Sequence, residues 1–280
     1  MLDSTPSSSL RVEPISQATQ RPALDYLARS PYLNVFISHV LLHDSAQAVR
    51  KNVVVVSGER GIVGVAYYGR QIVIAAEPIA VAPLAAYLLR YSGNRMIVGP
   101  RDAVRDFWKI AGDRLGRPRL FRDRQLVMMV DRPRLRPSGP PVTVRHAKID
   151  DWRAVAESSA SMIREELEYD PRRNSATFNM SIREMIERRL WWVGIAGGRL
   201  CFFCNIGPWS DQTAQLQGIW TPPELRGQGL ATASLAAICD RLLEITPTLS
   251  LYVNDFNDAA IALYRRIGFE HVGDFQTILF

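Results

Sequence analysis

The residues best able to do chemistry in this 280-residue chain begin at a six-residue stretch, Arg226-Gly227-Gln228-Gly229-Leu230-Ala231. Two glycines stand directly ahead of Leu230, Ser234, Leu235, Ile238, Leu242 and Ile245, which recur at helical spacing. Glycine lets backbone N–H groups turn toward one point with no Cβ in the way. The first N–H groups of the following helix have no partner within it and lie at the positive end of its dipole. Such a loop is an anion site that suits a pyrophosphate, although the same residues also suit a plain strand-to-helix turn. The stretch lacks the lysine and Ser/Thr of a nucleotide P-loop and the Gly-x-Gly-x-x-Gly dinucleotide pattern.

Further on, Asn257 precedes the short helical run Asp258–Ile267, and Gly268 stops it. Asparagine is a favoured N-cap and glycine a favoured residue just past a helix end. Glu165, Glu166 and Asp170 make an acidic cluster at a helix junction, a pattern that a merely solvated helix end also explains. The strand ahead of the glycine loop offers only Gln215 and Gln217, which accept no proton usefully at neutral pH. Cys201 and Cys204 spell Cys-x-x-Cys inside an apolar strand, where residues three apart point to opposite faces. With no second ligand pair, they read as packing residues and no metal site is expected.

The elements that must position these groups follow from periodicity. Ala214–Trp220 alternates as a half-buried strand, and Pro222-Pro223 ends any ladder beyond it. Strand, proline, glycine loop and helix then carry the spacing Arg226-x-x-Gly229-x-Ala231. That spacing resembles the acetyl-coenzyme A motif of the GNAT N-acetyltransferase superfamily, Gln/Arg-x-x-Gly-x-Gly/Ala. About thirty residues on, Val253-Asn254-x-x-Asn257-x-x-Ala260-x-x-Leu263-Tyr264-x-x-x-Gly268-Phe269 resembles the superfamily's second cofactor block.

The resemblance implies acetyl-coenzyme A as cosubstrate and assigns roles residue by residue. The N–H groups of Gly227, Gln228, Gly229, Leu230 and Ala231, together with Arg226 and the Thr232 hydroxyl, would hold the pyrophosphate. The end of the strand at Gly218–Thr221 would pair with the pantetheine arm, with an N–H near Trp220 or Thr221 polarising the thioester carbonyl. Asn257 would reach the pantetheine amides, and Tyr264 would be the general acid. Many members carry a glutamate on the strand where this chain has Gln215 and Gln217. By analogy Glu165, Glu166 or Asp170 is left as base, or an ordered water.

Upstream, a strand at Val142–Arg145, helices over Asp150–Glu168 and Ser175–Arg189, and a hairpin Trp191–Ala196/Arg199–Ile206 complete one domain over residues 142–280, ending in a strand or hairpin from Glu270. Residues 11–130 give the same order of elements. Helices run from Ile15 to Leu27 and from Leu33 to Leu42, then a hairpin Asn52–Val56/Ile62–Tyr68 and a strand to Ala76. A helix at Pro83–Arg90, a strand at Met96–Gly99, a helix at Asp102–Leu115 and a strand to Val130 follow. The link Glu77–Pro83 has no glycine, so this domain is expected to be GNAT-like without a cofactor loop. The fold class is thus α/β (α+β), two tandem GNAT-like domains, each a mixed, mostly antiparallel sheet flanked by helices. Residues 1–10 read as a flexible tail and the proline-rich residues 131–141 as an extended linker. Ile97-Val98-Gly99-Pro100, Arg122–Leu126 and Glu165-Glu166-Leu167…Asp170-Pro171 resemble a bacterial subfamily with an N-terminal domain of unknown function.

Composition fits an ordinary globular protein, 47% hydrophobic and 22% charged. No apolar run reaches membrane-spanning length and the start MLDSTPSSSL lacks a signal-peptide pattern, so a cytoplasmic protein with no membrane partner is expected. The first 140 residues carry 20 Lys/Arg against 11 Asp/Glu, the remainder 14 against 17. The stripe Arg101, Arg105, Lys109 could track phosphates. Interleaved Asp102, Asp106 and Asp113 favour a solvated helix face, and nucleic acid is not the expected partner. The expected activity is acetyl transfer from acetyl-coenzyme A to a primary amine of unspecified identity in a direct ternary complex, with the first domain shaping the acceptor site or a homodimer surface. The alternatives are a non-catalytic acyl-coenzyme A sensor or nucleic-acid-associated protein, and an aminoacyl or other acyl transferase.

Overall fold

The computed structural model describes residues 10–90 and 96–280. Chain contacts divide it into two units, one made of Met1–Val127 with Gly273–Phe280 and the other of Met128–Val272. The tail expected over residues 1–10 lies outside the described residues except for Leu10, which packs against the first unit's core.

The first unit opens with β1 (Arg11–Pro14), α1 (Gln17–Leu27), α2 (Pro31–His43) and α3 (Ala46–Asn52). Next come β2 (Val53–Gly58), β3 (Gly61–Tyr67), β4 (Ile72–Ala76), α4 (Pro78–Leu88), β5 (Met96–Pro100) and α5 (Arg101–Leu115). Ser16 caps α1, its side chain accepting from the Thr19 N–H. The sheet order is β1-β2-β3-β4-β5, and β4 and β5 run parallel across the α4 crossover. Val53–Val56 are all buried because helices cover both faces: α4 and α5 on one, α1 and α2 on the other. The arginine stripe of α5 is paired as a solvated face. Arg101 bonds Asp123 (2.5 Å), Arg105 bonds Asp102 (2.9 Å) and Lys109 bonds Asp106 (2.8 Å).

Two elements here escaped the sequence reading, β1 and α3, both too short to show a period. The helix expected from Pro83 starts instead at Pro78, which takes the N1 position where a missing N–H costs nothing. The link after β4 is therefore Glu77 alone. Along the same strands, a Cβ at Gly99 would meet the Ile74 carbonyl at 2.5 Å, so β4 and β5 stay in close contact past their last paired residues.

Strand β6 (Leu120–Asp131) carries the chain across the boundary between units. The second unit holds β7 (Thr143–His146), α6 (Trp152–Leu167), α7 (Ser175–Glu187), β8 (Trp191–Ala196), β9 (Arg199–Trp209), β10 (Ala214–Trp220), α8 (Leu230–Leu242), β11 (Thr248–Asn254) and α9 (Asp258–Ile267). Its sheet order is β11-β10-β9-β8-β7, antiparallel except for the parallel pair β10/β11 joined through α8. One face packs Trp191, Val193, Phe203 and Trp220 against Val155, Ile182 and Ile186 of α6 and α7, and α8 covers the other.

Two boundaries differ from the sequence reading. The sequence places the last strand, β12 (Glu270–Leu279), in the second domain, but Phe275–Leu279 pairs antiparallel with Met96–Pro100 of β5 and so belongs to the first unit's sheet. Ile278 is fully buried in that core, beside Phe107. The proline-rich linker is docked in the second unit rather than spanning open solvent. A register shift between Gly194 and Ile195 against β9 also changes the cysteines. It leaves Cys201 as a bulged residue beside Ser234 of α8 (4.0 Å), while Cys204 faces the buried Cys239 of the same helix. All three are free thiols, and the described residues hold no cluster able to bind a metal ion.

Candidate active site

The site of the second unit grows out of one strand defect. Against β9, Gln217 pairs with Asn205 and Trp220 with Phe203, so one extra residue stands in β10 at Gly218–Ile219. Gly218 takes φ +61°, a conformation that favours glycine, and a Cβ there would overlap the Asn205 Oδ1 atom. A bulge bends its strand and breaks pairing locally. Accordingly the parallel register with β11 comprises Ala214↔Leu249 and Gln215↔Ser250 and ends there. Beyond it no further β10–β11 pair is in register, so the ladder stops at Gln215 and Ser250 and the two strand ends bound a wedge.

At the mouth of this wedge, a short 3-10 turn, Pro223–Leu225, leads into the glycine loop. Gly227 and Gly229 both have φ +76°, and a Cβ at Gly227 would meet nothing within 4 Å, so the space before the loop is open. Successive N–H groups in such a turn, followed by the free N–H groups of a helix start, form an anion-binding concavity. Gln228 donates its Nε2 to the Glu224 carbonyl (3.2 Å) and holds the turn closed. Leu230 and Thr232 are buried in the first turn of α8, so the Thr232 hydroxyl is not on the exposed rim of the loop.

Arg226 is pinned by three neighbours. Its Nε donates to the Thr221 carbonyl (3.1 Å), its guanidinium lies 4.5 Å from the centre of the Trp220 ring, and Nη2 meets the Glu165 carboxylate at 3.3 Å. The guanidinium thus ties the loop to the end of β10 and to α6. Glu165, a sequence candidate for proton transfer, is the anchor of this arginine. Asp170 is committed elsewhere. Arg172 clasps it through side chain and N–H, which holds its carboxyl down at about 2.

Glu166 is the carboxylate that bears on the tyrosines. Tyr264 of α9 is 7% exposed, and burial first, then the Glu166 charge, push its phenol well above the ordinary 10.0. Tyr252, on β11, is raised by the same two causes in the same order. Tyr252 is the site residue that the sequence reading missed. The signal was available, since a tyrosine between Leu251 and Val253 faces away from the strand's apolar side, at the point where β10 and β11 separate. Asn257 caps α9, its Oδ1 accepting from the Ala260 N–H at 3.2 Å, which leaves its amide nitrogen to donate. Gln217 donates Nε2 to Gln215 Oε1 (2.9 Å), which ties the two neutral side chains of this strand together.

Bulge, loop, capped helix and buried phenol thus stand together in one unit. Residues 150–269 match the sequence model of the acetyltransferase (GNAT) family. No curated protein matches the chain. Among solved structures, a Drosophila protein superposes with TM-score 0.67 at 14% identity, covering 98% of this chain and 99% of that one. A GCN5-related N-acetyltransferase from Sphaerobacter thermophilus gives 0.62 at 16% identity, covering 96% and 94%. A tandem GNAT protein from the clavulanic acid biosynthesis pathway gives 0.58 at 16%, covering 96% and 98%. At such identities these likenesses speak to fold, and the fold is that of tandem GNAT proteins.

Proposed function

We propose, on the premise that residues 150–269 are a GNAT acetyltransferase domain, that this acyltransferase moves acetyl from acetyl-coenzyme A directly to a primary amine. The observation that carries the reading is the wedge opened by the Gly218 bulge, with the glycine loop at its mouth and Tyr264 on the helix beyond it. The residues present fit the cosubstrate. Gly227, Gln228, Gly229, Leu230 and Ala231 would present N–H groups to the pyrophosphate, and Ile219–Thr221 would offer main-chain groups to the pantetheine arm. Asn257 retains an amide N–H for the same arm. Acetyl-coenzyme A supplies an activated thioester.

The chain's own residues then have three tasks. Main-chain N–H groups near Trp220 and Thr221 stabilise negative charge as it develops on the carbonyl oxygen. Glu166 attracts the cationic amine and, directly or through one water, takes the proton that frees the nitrogen lone pair for attack on the carbonyl carbon; the second N–H proton, lost once the C–N bond has formed, returns to the Tyr264 phenolate. Tyr264 gives its phenolic proton to the sulfur as the C–S bond breaks. A phenol is protonated at neutral pH, and burial keeps that of Tyr264 in its protonated form until the thiolate develops. No cysteine lies in either motif block, which favours direct attack over an acetyl-enzyme.

Calorimetric titration of acetyl-coenzyme A into the purified protein tests the reading. One site per chain is expected, and it should vanish in Gly229→Asp, which forces a side chain at φ +76° against Pro140 and sets a negative charge beside the N–H groups meant for the pyrophosphate. Unchanged affinity in that variant would sink the loop assignment. Two sites would mean that the first unit also binds the cosubstrate.

A further inference from the structure

The segment between β6 and β7 is fastened along the helices of the second unit. Arg132 donates Nη2 to the Asp240 carbonyl of α8 (2.8 Å) and pairs with the same residue's carboxylate. Arg134 donates Nε to Glu270 (2.7 Å), and its carbonyl fills the place a Cβ would take at Gly268, which ends α9. The Arg136 N–H donates to the Ile267 carbonyl (2.8 Å).

From there the segment reaches the start of α8. A Cβ at Gly139 would lie 2.9 Å from the Ala233 Cβ and 3.2 Å from the Gly229 carbonyl oxygen. Reciprocally, a Cβ at Gly229 would meet Pro140 Cδ at 3.2 Å. Gly139 itself holds φ +113°, which L side chains rarely adopt. The two residues therefore lie against the one glycine that both turns the loop and N-caps α8. On the loop's other side the restraint is Arg226, and before Gly227 there is open space.

We infer that Gly139 and Pro140 are positioning residues for the anion-binding loop. They confine Gly229, and with it the first N–H groups of α8, to the direction that a bound pyrophosphate needs. A glycine loop is conformationally free, so ordering it on binding would weaken affinity unless a neighbour orders it beforehand. Proline is suited to that task because its own backbone is fixed. The inference rests on the reading of this loop as the acyl-coenzyme A site.

The test is titration of acetyl-coenzyme A into the full chain and four variants, with the thermal midpoint recorded for each. Gly139→Ala should raise Kd roughly tenfold and Pro140→Gly several-fold, the size expected when an ordered loop residue is released or displaced. Adding Ala233→Gly to Gly139→Ala should recover part of the loss, because it removes the methyl group the new Cβ would strike. Arg145→Ala, which breaks an ion pair with Asp151 (2.6 Å) in the same unit, should lower the midpoint and leave Kd unchanged. The inference is overturned if the wild type binds and the Gly139 and Pro140 variants bind equally well. It is also overturned if Arg145→Ala weakens binding as much as they do. No binding by the wild type would overturn the coenzyme A reading and this inference with it.

Discussion

Replacing Gly218 with alanine should both destabilise the second unit and close its wedge. The residue holds φ +61°, where an L side chain costs about 1–2 kcal/mol. The added methyl would also overlap Asn205 Oδ1 and come within 3.1 Å of the Trp191 ring, and both neighbours are buried. Overpacking of that kind costs about 1–3 kcal/mol, giving a total of roughly 2–5 kcal/mol. A domain with about 5–15 kcal/mol in hand stays folded, so affinity can be measured as well as stability. Gly198→Ala supplies the control. That glycine, in the β8–β9 turn, has φ +76° and nothing within 4 Å of its Cβ position, so it should show the conformational cost alone. Urea unfolding should place Gly218→Ala below Gly198→Ala by the packing share, and only Gly218→Ala should lose acetyl-coenzyme A affinity. If the two variants unfold within about 0.5 kcal/mol of each other, and both bind as the wild type does, the bulge is not what holds the strands apart.

Three further outcomes test the chemistry. Tyr264→Phe should lower turnover by roughly 10²–10⁴ while leaving cosubstrate affinity nearly intact, and a steady-state assay beside a titration separates the two; an untouched rate would remove Tyr264 as the acid. Glu165→Gln should weaken cosubstrate binding through the freed Arg226, whereas Glu166→Gln should lower turnover, and a reversed pattern would exchange their roles. Because burial and the Glu166 charge raise the Tyr264 phenol above 10.0, its protonated form persists to higher pH. The rate at saturating substrate should therefore hold to about pH 10, and the alkaline decline should move down in Glu166→Gln. A decline near pH 8 in the wild type would count against a phenolic acid.

The chemistry-bearing loop, the Asn257 cap and the position of Tyr264 were legible in the sequence because each depends on local rules. Glycine turns, helix caps and helical periods are written within a few residues. What escaped depends on residues far apart in the chain. The bulge at Gly218 shows only when β10 is laid against β9, since the alternation of Ala214–Trp220 survives one inserted residue. That Glu165 pairs with Arg226 while its neighbour Glu166 bears on Tyr252 and Tyr264 depends on partners 61 and more residues downstream. The docking of the linker escaped for a similar reason. A run rich in proline and arginine has no period, and its partners on α8 and α9 lie more than a hundred residues away.

The return of Phe275–Leu279 to β5 inverts the order in which this protein can be completed during synthesis. Every residue of the second unit leaves the ribosome before the strand that finishes the first unit's sheet. Until then β5 offers an unpaired row of main-chain groups, the kind of edge that invites a second chain to add on. The sheet of the first unit must wait for residues 273–280. A nascent chain arrested just short of Gly273 would carry an entire second unit and a first unit open to aggregation.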